Sequence, residues 1–167
     1  MPEPPIPPAP SGSPISARLA GRVLSLDLGS RTIGLAVSDP LGITAQGLDT
    51  IRRKGRRHDF DALNDVVRKF EVKQMVVGWP LHMSGDEGKQ SAKAAAFAEE
   101  LRQHFRLPVH LLDERLTTAE AQRVLRSSDV SIQRRGEVID RLAAVLILQS
   151  WLDRRHASLP NLETNRS

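Results

Sequence analysis

The chain has 167 residues, 40% hydrophobic and 26% charged, with no cysteine and a formal net charge of +4. That length fits one domain with a real core, the missing thiols exclude disulfides and thiolate metal sites, and no apolar run nears the roughly 20 residues that span a bilayer. The basic balance, with a sequence pI of about 10.1, favours polyanionic partners such as nucleic acid, and a thiol-free, membrane-free chain is expected in the cytoplasm.

Seven of the eleven prolines fall between Pro2 and Pro14. Residues 1–17 therefore read as an extended, disordered tail with no apolar face to bury. The prolines also stand where a secretory signal needs a charged start and an apolar stretch. The domain is expected over 18–156, followed by a flexible tail over 157–167.

From Arg22 to Leu28 the pattern alternates, with Leu24, Leu26 and Leu28 on one face and Val23, Ser25 and Asp27 on the other. That is strand periodicity. Gly29-Ser30-Arg31 supplies a turn and Thr32 to Ser38 the returning strand of a hairpin. After the turn at Asp39-Pro40-Leu41-Gly42, a weaker third strand spans about Gln46 to Ile51 and ends at a basic segment: Arg52, Arg53, Lys54, Arg56, Arg57 and His58. Phe60, Leu63, Val67 and Phe70 recur at helical spacing. Gln74 to Gly78 is a buried central strand by pattern, and Leu81 to Gly88 a glycine-containing loop. Ala94, Phe97, Ala98, Leu101 and Phe105 define a second helix, and Pro108 to Leu112 another strand. Thr117 and Glu120 form a capping box that opens a third helix through Val124 and Leu125. Ser127 to Gly136 reads as a polar, basic linker. Glu137 to about Arg155 is the final helix, with Val138, Leu142, Val145, Leu146 and Leu148 apolar. A meander followed by alternating helix and strand predicts an α/β fold: a mixed sheet with helices on both faces.

Asp27 is unusual inside a strand, where a charge must be paired or metal-bound unless it lies at the strand end facing solvent. Gly29 would let a substrate backbone approach it closely. Asp113 and Glu114 follow a strand at the end where α/β sheets bind ligands. A continued strand would point them to opposite sides. Asp140 sits early in the last helix, and small Ala143 and Ala144 let that helix lie near the sheet. For Asp113 and Asp140 the plain alternative is an acid stabilised by a helix dipole. Together, Asp27, Glu114 and Asp140 form a donor set for one or two Mg²⁺ or Mn²⁺ ions. Two such ions about 3.5–4 Å apart can activate water and stabilise the leaving oxygen of a phosphodiester. Carboxylate pairs also serve glycosidases, but the sequence offers few aromatics to stack sugars. The basic segment 52–57, the pair Arg134 and Arg135, and Arg154, Arg155 and His156 suit a nucleic-acid backbone together, or a solvated surface singly. Trp79 reads either as a base-stacking residue or as packing under the loop. The five histidines do not fall at zinc-ligand spacing.

Five blocks carry a family resemblance: Asp27-Leu28-Gly29-Ser30-Arg31, Gly34 to Asp39, Gly78-Trp79-Pro80-Leu81, Asp113-Glu114-Arg115-Leu116-Thr117-Thr118 and Asp140-Arg141-Leu142-Ala143-Ala144. In order and spacing, from about Arg22 to Leu152, the chain resembles the YqgF (also RuvX) family. The resemblance implies an RNase H-like, five-stranded mixed sheet and a metal-dependent nuclease. It implies either maturation of the 5′ end of pre-16S rRNA, with ribosomal particles as partners, or resolution of Holliday junctions in branched DNA. Asp27, Glu114 and Asp140 are its implied catalytic residues and metal ligands. Arg31, Arg115, Thr117 and Thr118 join the basic clusters as expected nucleic-acid contacts. Two symmetric junction cuts would require a homodimer, whereas RNA processing would not. A non-catalytic nucleic-acid or ribosome-binding protein is the competing reading, and the intact acids argue against it. The first hairpin also resembles that of actin-like ATPases, but the chain is too short for their two domains.

Overall fold

The computed structural model describes residues 21–82, 84–116 and 132–158. The expected tail 1–17, the third helix opening at Thr117, residues 127–131 of the expected linker and the chain beyond 158 lie outside them.

Strand β1 (Arg22–Leu28) pairs antiparallel with β2 (Thr32–Ser38), closing the expected hairpin. The third lane is carried by two short strands, β3 (Ala45–Gly47) and β4 (Ile51–Arg52), both antiparallel to β2. Their registers differ by one residue, because Ala36 faces Gly47 whereas Ile33 faces Ile51. An inserted residue of this kind is a β-bulge, and it interrupts the single strand expected over 46–51. After α1 (Arg56–Phe70), strand β5 (Val72–Trp79) lies parallel to β1, and after α2 (Lys89–Phe105), β6 (Val109–Asp113) lies parallel to β5. The sheet order is β3-β2-β1-β5-β6, with β4 beside β2, so the five-lane mixed sheet stands.

Alternation along β1 sorts two cores. Leu24 and Leu26 join Met75, Val77, Leu63 and Leu101 beneath α1 and α2. Val23 joins Ala36, Val76 and Leu112 beneath α3 (Ile132–Ala157). This gives three layers, helix–sheet–helix.

Two boundaries differ from expectation. Helix α1 starts at Arg56, inside the basic segment, with Gly55 at φ 119° just before it. Cations in a first turn oppose the helix dipole. The buried Asp59 in that turn offsets them and accepts the Lys54 N–H at 3.1 Å. Helix α3 starts at Ile132, so the end of the expected linker is helical. Gly136 lies within it, because an interior glycine weakens a helix by about 1 kcal/mol without breaking it. The face of α3 against the sheet is Ala144, Ile147, Leu148 and Leu152, while Leu142, Val145 and Leu146 are half-buried. A small residue leads that face because the helix sits close to the sheet at Ser25, whose Oγ donates to the Ala144 carbonyl at 2.6 Å.

Candidate active site

Asp27 lies near the C-terminal end of the central strand β1, on the face covered by α3, and is flanked across the sheet by two glycines. Gly34 is its register partner on β2. Gly78 follows Val77, the β5 partner of Leu26. A Cβ at Gly34 would overlap the Asp140 carbonyl. A Cβ at Gly78 would fall 2.5 Å from Glu114 Oε1 and 2.6 Å from Ile147 Cδ1. The missing side chains therefore let Asp140 close in from one flank and Glu114 from the other. Sequence reading did not assign these glycines that part, although a glycine inside a strand pattern signals a close approach.

The carboxylates feel one another. Burial, then the negative charge of Glu114, then that of Asp140, push the Asp27 carboxyl up to about 7. Burial and neighbouring Asp113 raise Glu114 above the ordinary carboxylate range. Burial raises Asp140, and the Thr32 hydroxyl, which donates to Asp140 Oδ2, moderates the rise. Among the described residues no three acidic, histidine or cysteine side chains are already drawn into coordination geometry. The donor set still fits a hard divalent cation, being all carboxylate oxygen with raised proton affinities that mark a negative potential such an ion would neutralise.

Thr32 was not singled out from the sequence. Its hydroxyl orients the Asp140 carboxylate, as outer partners of metal ligands do. We expect Thr32→Val, nearly isosteric, to weaken the Mn²⁺ dependence of activity roughly 10–100-fold. An unchanged metal titration curve would remove Thr32 from the site.

The basic residues do not form one surface. Arg31 is exposed on the turn after Asp27. Arg52 and Lys54 line a cleft of about 460 Å³ with His58, Glu137 and Arg141, on the edge strand beside the start of α3. There Arg52 pairs with Glu137 and Arg141 with Asp49, each at 2.9 Å. Arg53 turns toward the β1–β2 turn, donating from Nη1 to the Gly29 carbonyl at 2.8 Å. Arg56 instead pairs with Glu100 of α2 and sits over the Phe60 ring, and Arg57 is exposed. Arg115 is drawn onto Asp113 at 2.6 Å, which holds Asp113 below the ordinary carboxylate range. Asp39 is likewise engaged locally, accepting from the Ile43 and Thr44 amides. Arg154, Arg155 and His156 lie about 20 Å along α3 from Asp140, at 1.5 Å per residue. Arg155 stacks on Trp151 there. Thr117 and Thr118 lie outside the described residues, and the backbone of Arg134 and Arg135 belongs to the first turn of α3. Trp79 packs against the core under α1 and α2, on the sheet face opposite Asp27, which favours packing over base stacking.

The family described as "RuvX: Holliday junction resolvase" matches residues 21–154. A "Putative pre-16S rRNA nuclease" of Koribacter versatilis is 57% identical over 135 residues, covering 81% of this chain and 88% of that one. Its namesake from Moorella thermoacetica is 52% identical over 133 residues, covering 80% and 95%. Among solved structures, Thermus thermophilus RuvC in complex with a Holliday junction substrate superposes with a TM-score of 0.52 at 13% identity. It covers 83% of this chain and 97% of that one, a likeness of fold.

Proposed function

The chain belongs to the RuvX family, a family of nucleases, and from that premise we propose that it is a metal-dependent endonuclease acting at Asp27, Glu114 and Asp140, with precursor 16S rRNA as its substrate. The observation that supports this reading best is the pair of glycine gaps, Gly34 and Gly78, that bring two further acids to Asp27. Like charges are gathered at some expense of stability, and a nuclease has use for them. One or two Mg²⁺ or Mn²⁺ ions held by these three carboxylates would supply Lewis acidity toward the attacking water and the leaving oxygen. The chain's own residues fix the donors: Thr32 orients Asp140, and Ser25 pins α3 to the sheet. The choice of RNA follows the name carried by the Koribacter versatilis and Moorella thermoacetica relatives, 57% and 52% identical. No helix among the described residues is long and apolar enough to cross a membrane. A cysteine-free chain with an RNA substrate suits the cytoplasm.

The test is side-by-side cleavage of a pre-16S rRNA fragment and a four-way DNA junction, with Mg²⁺ or Mn²⁺. We expect site-selective cutting of the RNA that stops on chelation. Preferential cutting of the junction, with a dimer in sedimentation, would replace the RNA reading with junction resolution. Binding without cleavage of either would point to a non-catalytic binding protein.

A further inference from the structure

We propose that Arg53 is a fixed phosphate-binding arginine at the lip of the carboxylate site, and that the buried Asp59 is its positioning residue. The inference rests on the nuclease reading and adds a substrate contact to it.

Six ion pairs bind arginines among the described residues, and Arg53–Asp59 differs in kind. The Asp59 side chain is 4% exposed, whereas the acids paired with Arg52, Arg56, Arg102, Arg115 and Arg141 range from 17% to 100%. An exposed partner lets a long side chain wander, so most surface pairs fix little. A buried carboxylate cannot move, and Asp59 is held further by the Lys54 amide at 3.1 Å, with His58 Nδ1 3.3 Å away. Arg53 Nε approaches Asp59 Oδ2 at 3.5 Å. Its Nη1 donates to Gly29 O and its backbone N–H to Arg31 O, both at 2.8 Å. The guanidinium is therefore gripped from behind by α1 and laid across the turn that leaves Asp27.

Two of its five N–H groups are used this way. The others meet no acceptor among the described residues, and the side chain is 36% exposed. Gly29 lies two residues past Asp27, about 6–7 Å along an extended chain, and carries no side chain to fend off a polynucleotide backbone. Three gathered acids repel phosphate, so a substrate held there needs a nearby guanidinium with N–H donors that its neighbours leave unused, and Arg53 keeps three of them beyond its bonds to Asp59 and Gly29. A planar fork suits a phosphodiester oxygen pair better than a lysine does.

The experiment uses the full chain. Binding of a short fluorescent single-stranded RNA is followed by anisotropy across a salt series in chelator, so that nothing is cut. Arg53→Gln should lower the slope of log K against log salt by about 0.7, one phosphate contact on a single strand. Arg53→Lys keeps the charge and the slope but loses the fork, so kcat/KM for cleavage should fall about tenfold, mainly through KM. Arg68→Lys on the exposed far end of α1, the helix that carries Asp59, should leave kcat/KM unchanged. Asp59→Asn should mimic Arg53→Lys. The double variant Asp59→Asn with Arg53→Lys should lose no more than either alone, a non-additivity that a purely structural Asp59 would not give. An unaltered slope in Arg53→Gln, no RNA binding at all, or wild-type kcat/KM in Arg53→Lys overturns the proposal. If the wild type binds RNA but cuts nothing, the nuclease reading fails, and the slope still decides Arg53.

Discussion

Asp27→Asn will abolish cleavage, by about 10³-fold or more, and at pH 8 the metal-free variant will melt above the parent. The two effects share one cause. Asp27 is pushed from 3.8 to about 7 by burial and by the charges of Glu114 and Asp140. Its folded value thus lies above its unfolded one, so the folded state holds the proton more tightly. The stability linked to that proton is fully present below about pH 4 and is lost as pH rises through 7. Every tenfold difference in proton affinity between the two states corresponds to about 1.36 kcal/mol. The parent should therefore lose a few kcal/mol across that window, whereas the neutral amide should not. For a chain of this size about 1 kcal/mol moves Tm by roughly 2–4 °C. We expect the variant's advantage to be absent at pH 4 and to reach roughly 6–12 °C by pH 8. Added Mn²⁺ should raise the parent's Tm at pH 8 and move the variant little. Full-rate cleavage by the variant would remove Asp27 from the chemistry. A variant that melts below the parent at pH 8 would refute the crowding of charge.

The second large effect is expected at Gly34. A methyl group there would overlap the Asp140 carbonyl, which belongs to helix backbone and cannot swing aside. Either α3 lifts from the sheet or β2 bends. Overpacking of this kind costs about 3 kcal/mol or more, so Gly34→Ala should lower Tm by roughly 6–12 °C. Displacing Asp140 by about 1 Å should cost activity roughly 10²-fold beyond the loss of folded protein. Gly47→Ala is the control. Its Cβ would meet Arg141 Cγ at 2.6 Å and Cδ at 2.9 Å, atoms of a flexible, exposed side chain, with Val145 Cγ2 at 3.3 Å. It should melt within about 2–3 °C of the parent. Equal losses at the two positions would mean that α3 does not depend on the gap at Gly34 for its seat.

Periodicity carried most of the fold. The alternation of Leu24, Leu26 and Leu28 with Val23, Ser25 and Asp27 is the division between the two cores, because side chains of a strand alternate faces whatever the sheet around them. The same alternation, continued through Asp113, put Glu114 on the α3 side. Interruptions were less legible. The bulge between Gly47 and Ile51 leaves no mark in an apolar pattern, and α3 begins within a stretch whose polarity and glycine suggested a linker. Helix starts are set partly by tertiary contact, which local propensity does not see.

The basic segment shows where a list of charges stops being informative. Arg52, Arg53 and Arg56 are near neighbours in sequence, yet they pair with Glu137 of α3, Asp59 of α1 and Glu100 of α2 respectively. Net charge is a property of composition, but a guanidinium's direction depends on which carboxylate the fold brings to it, and those lie up to 85 residues away. The sequence by itself determined the layers, the strand order of the hairpin, the family and three acids as candidates, because each rests on local period or on motif spacing. Only the tertiary structure decided which glycines let the acids meet, that Thr32 holds Asp140, and that Arg53 rests on a buried partner. Those are contacts between segments distant in the chain, and no local pattern encodes a distance across a sheet.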